Sequence, residues 1–155
     1  KTNEKYVPYV LETSIGADRL FLATMSHALR TEQVPGQDDP TNVRDVMKLH
    51  PALAPIKAAI MPLKRNNPDI VKVAKDIFND LRFRFDVQYD DTGAIGKLYR
   101  RQDAVGTPFC ITVDFDTIEE GDNKGTVTVR DRDTLEQVRM TEDEVVRFLD
   151  DKVNG

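Results

Sequence analysis

Apolar positions along this chain switch between two spacings, and the switches mark its elements. Residues 7–11 form an apolar run that reads as a buried strand. Over residues 18–30, Leu20, Phe21, Thr24 and Ala28 fall near helical spacing. Residues 31–40 are a polar, proline-broken loop, and residues 43–49 read as a short strand. Residues 50–55 carry two prolines and read as a linker between domains. Beyond them the pattern becomes regular. Residues 56–61 predict a strand. Asn67 is an N-cap with Pro68 in the first turn, and Ile70, Val73, Ala74, Ile77, Phe78 and Leu81 follow at helical spacing. Residues 85–89 predict the next strand. Thr92 is the expected cap of a second helix with Ile95, Leu98, Tyr99 and Val105 on its apolar stripe; Gly106 ends it and Pro108 prevents its return. Residues 109–115 predict a third strand. Residues 125–130 and 135–140 alternate around a polar turn, the pattern of an antiparallel hairpin. Thr141 and Glu144 form a capping box, opening a last helix that buries Val145, Val146, Phe148 and Leu149.

Two strand–helix–strand units in series imply parallel neighbours joined by right-handed crossovers. The expected fold class is α/β: a compact mixed five-stranded sheet with three helices, preceded by a strand–helix piece. The expected division is residues 1–50 and 51–155.

Composition refines this only in part. Hydrophobic residues make up 39% of the 155, enough for a packed core, and charged residues 32%. No apolar run approaches the roughly 18 residues of a membrane span. The first residues are polar with no apolar signal core, so no signal peptide is expected. Cys110 is the single cysteine and lies in an apolar strand-like run. It is expected to be a small core residue, and its isolation fits a cytoplasmic protein. Net charge is -5, which argues against a general nucleic-acid coat. The charge is uneven, however: residues 56–106 hold ten Lys/Arg against seven Asp/Glu, and residues 141–155 two against five. One basic face can bind RNA while the rest stays acidic; solvated helix faces account for the same charges.

Glu12 and Ser14 are two apart on the first predicted strand and so share a face. A carboxylate beside a hydroxyl suits an ammonium group. Arg19, one turn into the helix, offers a phosphate a planar fork of donors. On spacing alone, a polar strand end with a surface ion pair accounts for all three. His27 and His50 have no partner at metal-ligand spacing, and no metal site is expected. Asp90 and Asp91 look like a carboxylate pair, but adjacent acids at a helix start are more often caps.

Residues 6–23, with Glu12, Thr13, Ser14, Gly16 and Arg19, resemble motif 3 of class II aminoacyl-tRNA synthetases in its glycyl-tRNA synthetase version, with Thr13 where that family has proline. Residues 49–57, 89–109, 113–116 and 127–138 resemble the anticodon-binding domain shared by glycyl-, histidyl-, threonyl- and prolyl-tRNA synthetases. The Gly96–Asp103 and Arg130–Thr134 strings favour the glycyl branch. The resemblance implies an ATP-dependent ligase joining glycine to tRNA-Gly through glycyl-adenylate, with Mg²⁺ assisting. Arg19 then contacts the ATP phosphates, and Glu12 and Ser14 hold glycine. Motifs 1 and 2 are absent, so the fragment alone is expected to be inactive, to need no cofactor itself and mainly to bind the tRNA anticodon. The whole protein is expected to be a cytoplasmic homodimer without membrane contact. A non-catalytic synthetase-like nucleic-acid-binding protein and a threonyl- or histidyl-type enzyme are the alternatives.

An anticodon domain of this kind is expected to bind beyond the carboxyl ends of its parallel strands. Those ends lead to Lys64 and Arg65, to residues 90–93, and to residues 114–116. Lys97, Arg100 and Arg101 line a polar helix face, with Arg100 and Arg101 as the favoured pair. The amides at Gly93 suit a phosphate or carboxylate. Asp90, Arg130 and Asp131 offer groups for base edges, and Phe115 or Tyr99 for stacking. Surface salt bridging is the other reading of each charged member.

Overall fold

The computed structural model describes residues 5–34 and 41–155. Helix α1 (Ala17–Ala28) leads into a hairpin of β1 (Leu29–Gln33) and β2 (Val43–Met47). Then come β3 (Ala58–Pro62), α2 (Pro68–Leu81), β4 (Val87–Tyr89), α3 (Ile95–Val105) and β5 (Phe109–Val113). The chain finishes with a short α4 (Phe115–Ile118), β6 (Thr126–Asp131), β7 (Gln137–Thr141) and α5 (Glu142–Asn154). Five strands form one sheet in the order β4-β3-β5-β6-β7. β3 runs parallel to both β4 and β5, while β6 and β7 are antiparallel additions. The expected mixed five-stranded sheet is present, with α2, α3 and α5 as its three long helices.

The two crossovers step in opposite directions, out from β3 to β4 and back across β3 to β5, so β4 and β5 are not neighbours. Right-handed crossovers of opposite direction put their helices on opposite faces of a sheet. The core divides accordingly. Ala58, Ile60, Phe109, Ile111 and Val113 pack with Ile70, Ala74, Ile77 and Leu81 of α2 and Val145 and Leu149 of α5. Ala59, Met61 and Cys110, the alternate residues, pack with Leu98 of α3. Every residue of β3 and β5 is buried, as expected for strands covered on both faces.

Local signals start and stop the helices. Asn67 Oδ1 accepts from the amides of Asp69 and Ile70 and caps α2. Thr141 and Glu144 make the expected capping box on α5. Gly106 ends α3 in the left-handed conformation at φ 91.

Four expectations need correction. Residues 7–11 are not a buried strand: Val7 is 90% and Leu11 100% exposed, because among the described residues no strand pairs with the segment and none covers it. Residues 31–33 are not loop but the end of β1, held by backbone pairing to β2 and by Thr31 Oγ1 donating to Asp45 at 2.6 Å. That strand is polar and mostly exposed, so hydrophobic spacing could not reveal it; residues 35–40 of the expected loop lie outside the described residues. Thr92 does not cap α3, whose N-cap is Ala94, since its hydroxyl is engaged by Asp90. Finally, α4 follows β5 where a plain strand end was expected, set by a capping box between Asp114 and Thr117.

The β1–β2 hairpin lies against α3. Val46 and Arg44, two apart on β2, are both buried, and Met47 crosses Gly106 closely: a Cβ there would stand 3.1 Å from the Met47 carbonyl oxygen. A separate small core joins Ala28, Leu49 and Ala54.

Candidate nucleic-acid interface

The carboxyl ends of the three parallel strands open together at one end of the sheet. Leaving β3, the chain is tied to β5 by the Leu63 amide donating to the Val113 carbonyl at 2.8 Å. It then runs through exposed Lys64, Arg65 and Asn66 before Asn67 starts α2. These residues face Gly93, Ala94 and Ile95 at the start of α3 across a cleft of about 450 Å³. Two basic side chains thus border a cleft whose far wall is the first turn of α3, which has no side-chain cap.

The turn after β4 is built around Asp90, which is 5% exposed. Its Oδ1 accepts from the Thr92 amide at 3.0 Å and the Thr92 hydroxyl at 2.6 Å. Its Oδ2 accepts from Arg101 Nη1 at 2.6 Å, and the same nitrogen donates to Thr92 Oγ1 at 2.7 Å. Burial opposes ionisation of Asp90. Hydrogen bonds from Thr92 and Arg101 outweigh it and hold the carboxyl below its ordinary value. Asp91 Oδ2 accepts from the Tyr89 hydroxyl at 3.2 Å. Lys97 is exposed on α3, close to Gly93.

The third strand end is more acidic but largely neutralised. Asp114 caps α4 through the Thr117 amide and also receives Arg139, which reaches Asp116 at 3.2 Å. Burial works against the Asp114 carboxylate, yet Arg139 and Thr117 keep its pKa below the ordinary value. Phe115 stands 37% exposed beside it. Tyr99 is different: its hydroxyl pairs with Thr112 at 2.7 Å and its ring lies under the Arg130 guanidinium, 4.7 Å away.

The structure therefore gathers Asp90, Gly93, Lys97 and Arg101 at the strand ends, with Lys64 and Arg65. It does not gather the others there. Arg100, adjacent to Arg101, turns to the hairpin and donates to Asn42 at 3.1 Å. Arg130 is buried, both terminal nitrogens donating to Asp103 at 2.8 and 3.0 Å. Asp131 pairs with Phe109, at the amino end of β5. Its Oδ1 accepts from the amides of Asp133 and Thr134 and shapes the β6–β7 turn. Four residues of strand, about 13 Å, separate that end from the cleft. Glu12, Ser14 and Arg19 are all exposed, on a segment that is not a strand in its first part, and share no hydrogen bond or ion pair.

Sequence reasoning missed Asp103. This buried helix residue also accepts from Arg44 Nη1 at 2.9 Å, and Arg44 is held in turn by Glu32. Arg132, 2% exposed, ties the same region through the carbonyls of Gly106 and Leu49. A polar residue on the sheet-facing side of α3 was the available signal. Cys110 is core as expected, 1% exposed, and burial pushes its thiol up to about 12. Among the described residues no group of three or more His, Cys, Asp or Glu is set to hold a metal ion, and no helix is long and apolar enough to cross a membrane.

Residues 57–152 match the anticodon binding domain family. The glycine–tRNA ligase of Clostridium perfringens is 54% identical over 149 residues, covering 96% of this chain and 30% of that protein. That of Macrococcus caseolyticus is 54% identical over 154 residues, 99% of this chain and 31% of that protein. The chain thus spans about 30% of the length of these curated relatives. Among solved structures, the RNA binding domain of threonyl-tRNA synthetase from Cryptosporidium parvum superposes with a TM-score of 0.58. It is 24% identical and covers 68% of this chain and 25% of that one; the likeness supports the fold.

Proposed function

Since the chain belongs to the anticodon binding domain family, we propose that it binds the anticodon of tRNA-Gly as part of a glycine–tRNA ligase. The match over residues 57–152 carries this reading, because those residues contain the whole strand-end cleft. The chemistry agrees. Lys64, Arg65, Lys97 and Arg101 supply phosphate and base-edge donors, and Phe115 supplies an exposed ring for stacking. Arg100 lies at the hairpin side of the same helix, where it is open to an approaching backbone. Arg130 and Asp131 act indirectly in this reading, through the packing of α3 and the β6–β7 turn.

The parent ligase activates glycine with ATP as glycyl-adenylate and passes it to the tRNA. Arg19 neutralises phosphate charge, and Glu12 and Ser14 hold the amino acid. These three roles need a surface that covers residues 12–19, since each side chain stands in solvent in this chain. Mg²⁺ in this reading accompanies the ATP phosphates. A cytoplasmic homodimer belongs to the same proposal.

The test is fluorescence anisotropy of the chain with a tRNA-Gly anticodon stem-loop, across salt, against a loop with both shared glycine anticodon bases changed. Preference for the cognate loop, with affinity falling as salt rises, is expected. Binding without preference contradicts the reading. By itself the chain is expected to give no glycine-dependent ATP–pyrophosphate exchange; exchange above background would overturn the division of labour.

A further inference from the structure

We propose that Arg101, aimed by the buried Asp90, reads the Watson–Crick edge of one cytosine in the anticodon. This inference rests on the tRNA-Gly reading above. Glycine codons begin with two guanines, so by base pairing all glycine anticodons share two cytosines.

Arg101 is an unusual surface arginine. Its Nη1 is pinned between Asp90 Oδ2 and Thr92 Oγ1, at 2.6 and 2.7 Å, while its side chain stays 45% exposed. Asp90 is itself fixed by two bonds from Thr92, so the anchor cannot swing. What remains is the opposite edge of the guanidinium, Nε–H and Nη2–H, two parallel donors with no partner among the described residues. A planar fork of this kind suits two adjacent acceptors. The rigid turn that holds it borders the cleft at Gly93.

Cytosine presents two adjacent acceptors, O2 and N3, followed by the N4 amino donor. Arg101 matches the acceptors. Uracil reverses this pattern at N3: its N3–H meets the Arg101 donors and leaves a desolvated group unpaired. Asp90 is thus a positioning residue: fully engaged, it touches no base but sets the plane of the group that does. Lysine at 101 would keep the charge and lose the plane.

The experiment compares the full chain with Arg101→Lys and Asp90→Asn, using glycine anticodon stem-loops with C→U changes at each shared position singly. The wild-type chain is expected to discriminate C from U by roughly 5- to 100-fold at each position. Arg101→Lys should bring that ratio close to one at one position and leave the other intact. Asp90→Asn should lower the same ratio in part. Thermal melts check the fold, and Arg101→Lys decides the matter even if Asp90→Asn is unstable. A full ratio retained in Arg101→Lys, or equal weakening on every loop as a phosphate contact would give, overturns the inference while the anticodon reading stands. Loss of preference already in the wild-type chain instead overturns that reading, and the inference with it.

Discussion

Asp103 takes hydrogen bonds from two arginines, Arg44 and Arg130, in surroundings where its side chain is 2% exposed. One carboxylate thus compensates two buried guanidiniums, and Glu32 completes the charge balance at Arg44. Removing one member of such a set strands charge away from water. Asp103→Ala is expected to destabilise the chain by about 3–5 kcal/mol, read from the urea midpoint. Arg101→Ala, with its side chain 45% exposed, should cost less, about 1 kcal/mol. The strand-end acids give a pH signature. Asp90 and Asp114 titrate below their ordinary value of 3.8, so each favours the folded state above that pH. This contribution is withdrawn as pH falls below 3.8 through the depressed folded values. Asp90→Asn should therefore flatten the loss of stability with acid, as followed by thermal melts from pH 5 to 2. Asp90 could be picked from the sequence as an acid at a turn and Arg101 from a polar helix face, whereas Glu12, Ser14 and Arg19 were singled out by the family resemblance. Asp103 showed only as a polar residue on the buried side of α3; its role did not show, since its partners lie 59 and 27 residues away.

Helix α3 joins every part of this account. One side carries Leu98 into the sheet, one end opens the cleft, and a third side receives the β1–β2 hairpin through Arg100 and Asp103. Its last residue before the turn is followed by Gly106, which is both left-handed and crowded by Met47. Gly106→Ala therefore meets two penalties, roughly 1–2 kcal/mol for the backbone alone plus a shift of the hairpin. A drop in melting temperature with faster amide exchange across residues 43–47 is the expected outcome; exchange confined to the α3 terminus would show that the hairpin is seated independently. The elements with strong apolar spacing, α2, β5 and α5, were legible because their burial follows a local rule. β1 was not, being polar and held by cross-strand pairing. Residues 7–11 failed in the opposite sense: an apolar run predicts burial only if something covers it, and nothing described does.

At the scale of the molecule, strand order decides where chemistry can occur. Because β3 lies between β4 and β5 in parallel, three strand ends open side by side, and the loops after them meet. The order could not be read from the sequence, since strand–helix–strand spacing fixes direction but not which neighbour a strand chooses. Yet the position of the cleft followed from direction alone, which is why Lys64, Arg65, Asp90 and Gly93 could be found. The same topology puts Asp131 and Phe83 away from it, at the amino ends of β5 and the far end of α2. The net charge of -5 makes general attraction to RNA weak, so binding must be local to the basic rim. The most direct test is to follow amide NMR shifts of the full chain during titration with the tRNA-Gly anticodon stem-loop. Shifts concentrated at residues 63–66, 90–95 and the exposed side of α3 are predicted. Shifts centred on the β6–β7 turn or on Phe83 and Arg84, with the strand-end loops unmoved, would contradict the account.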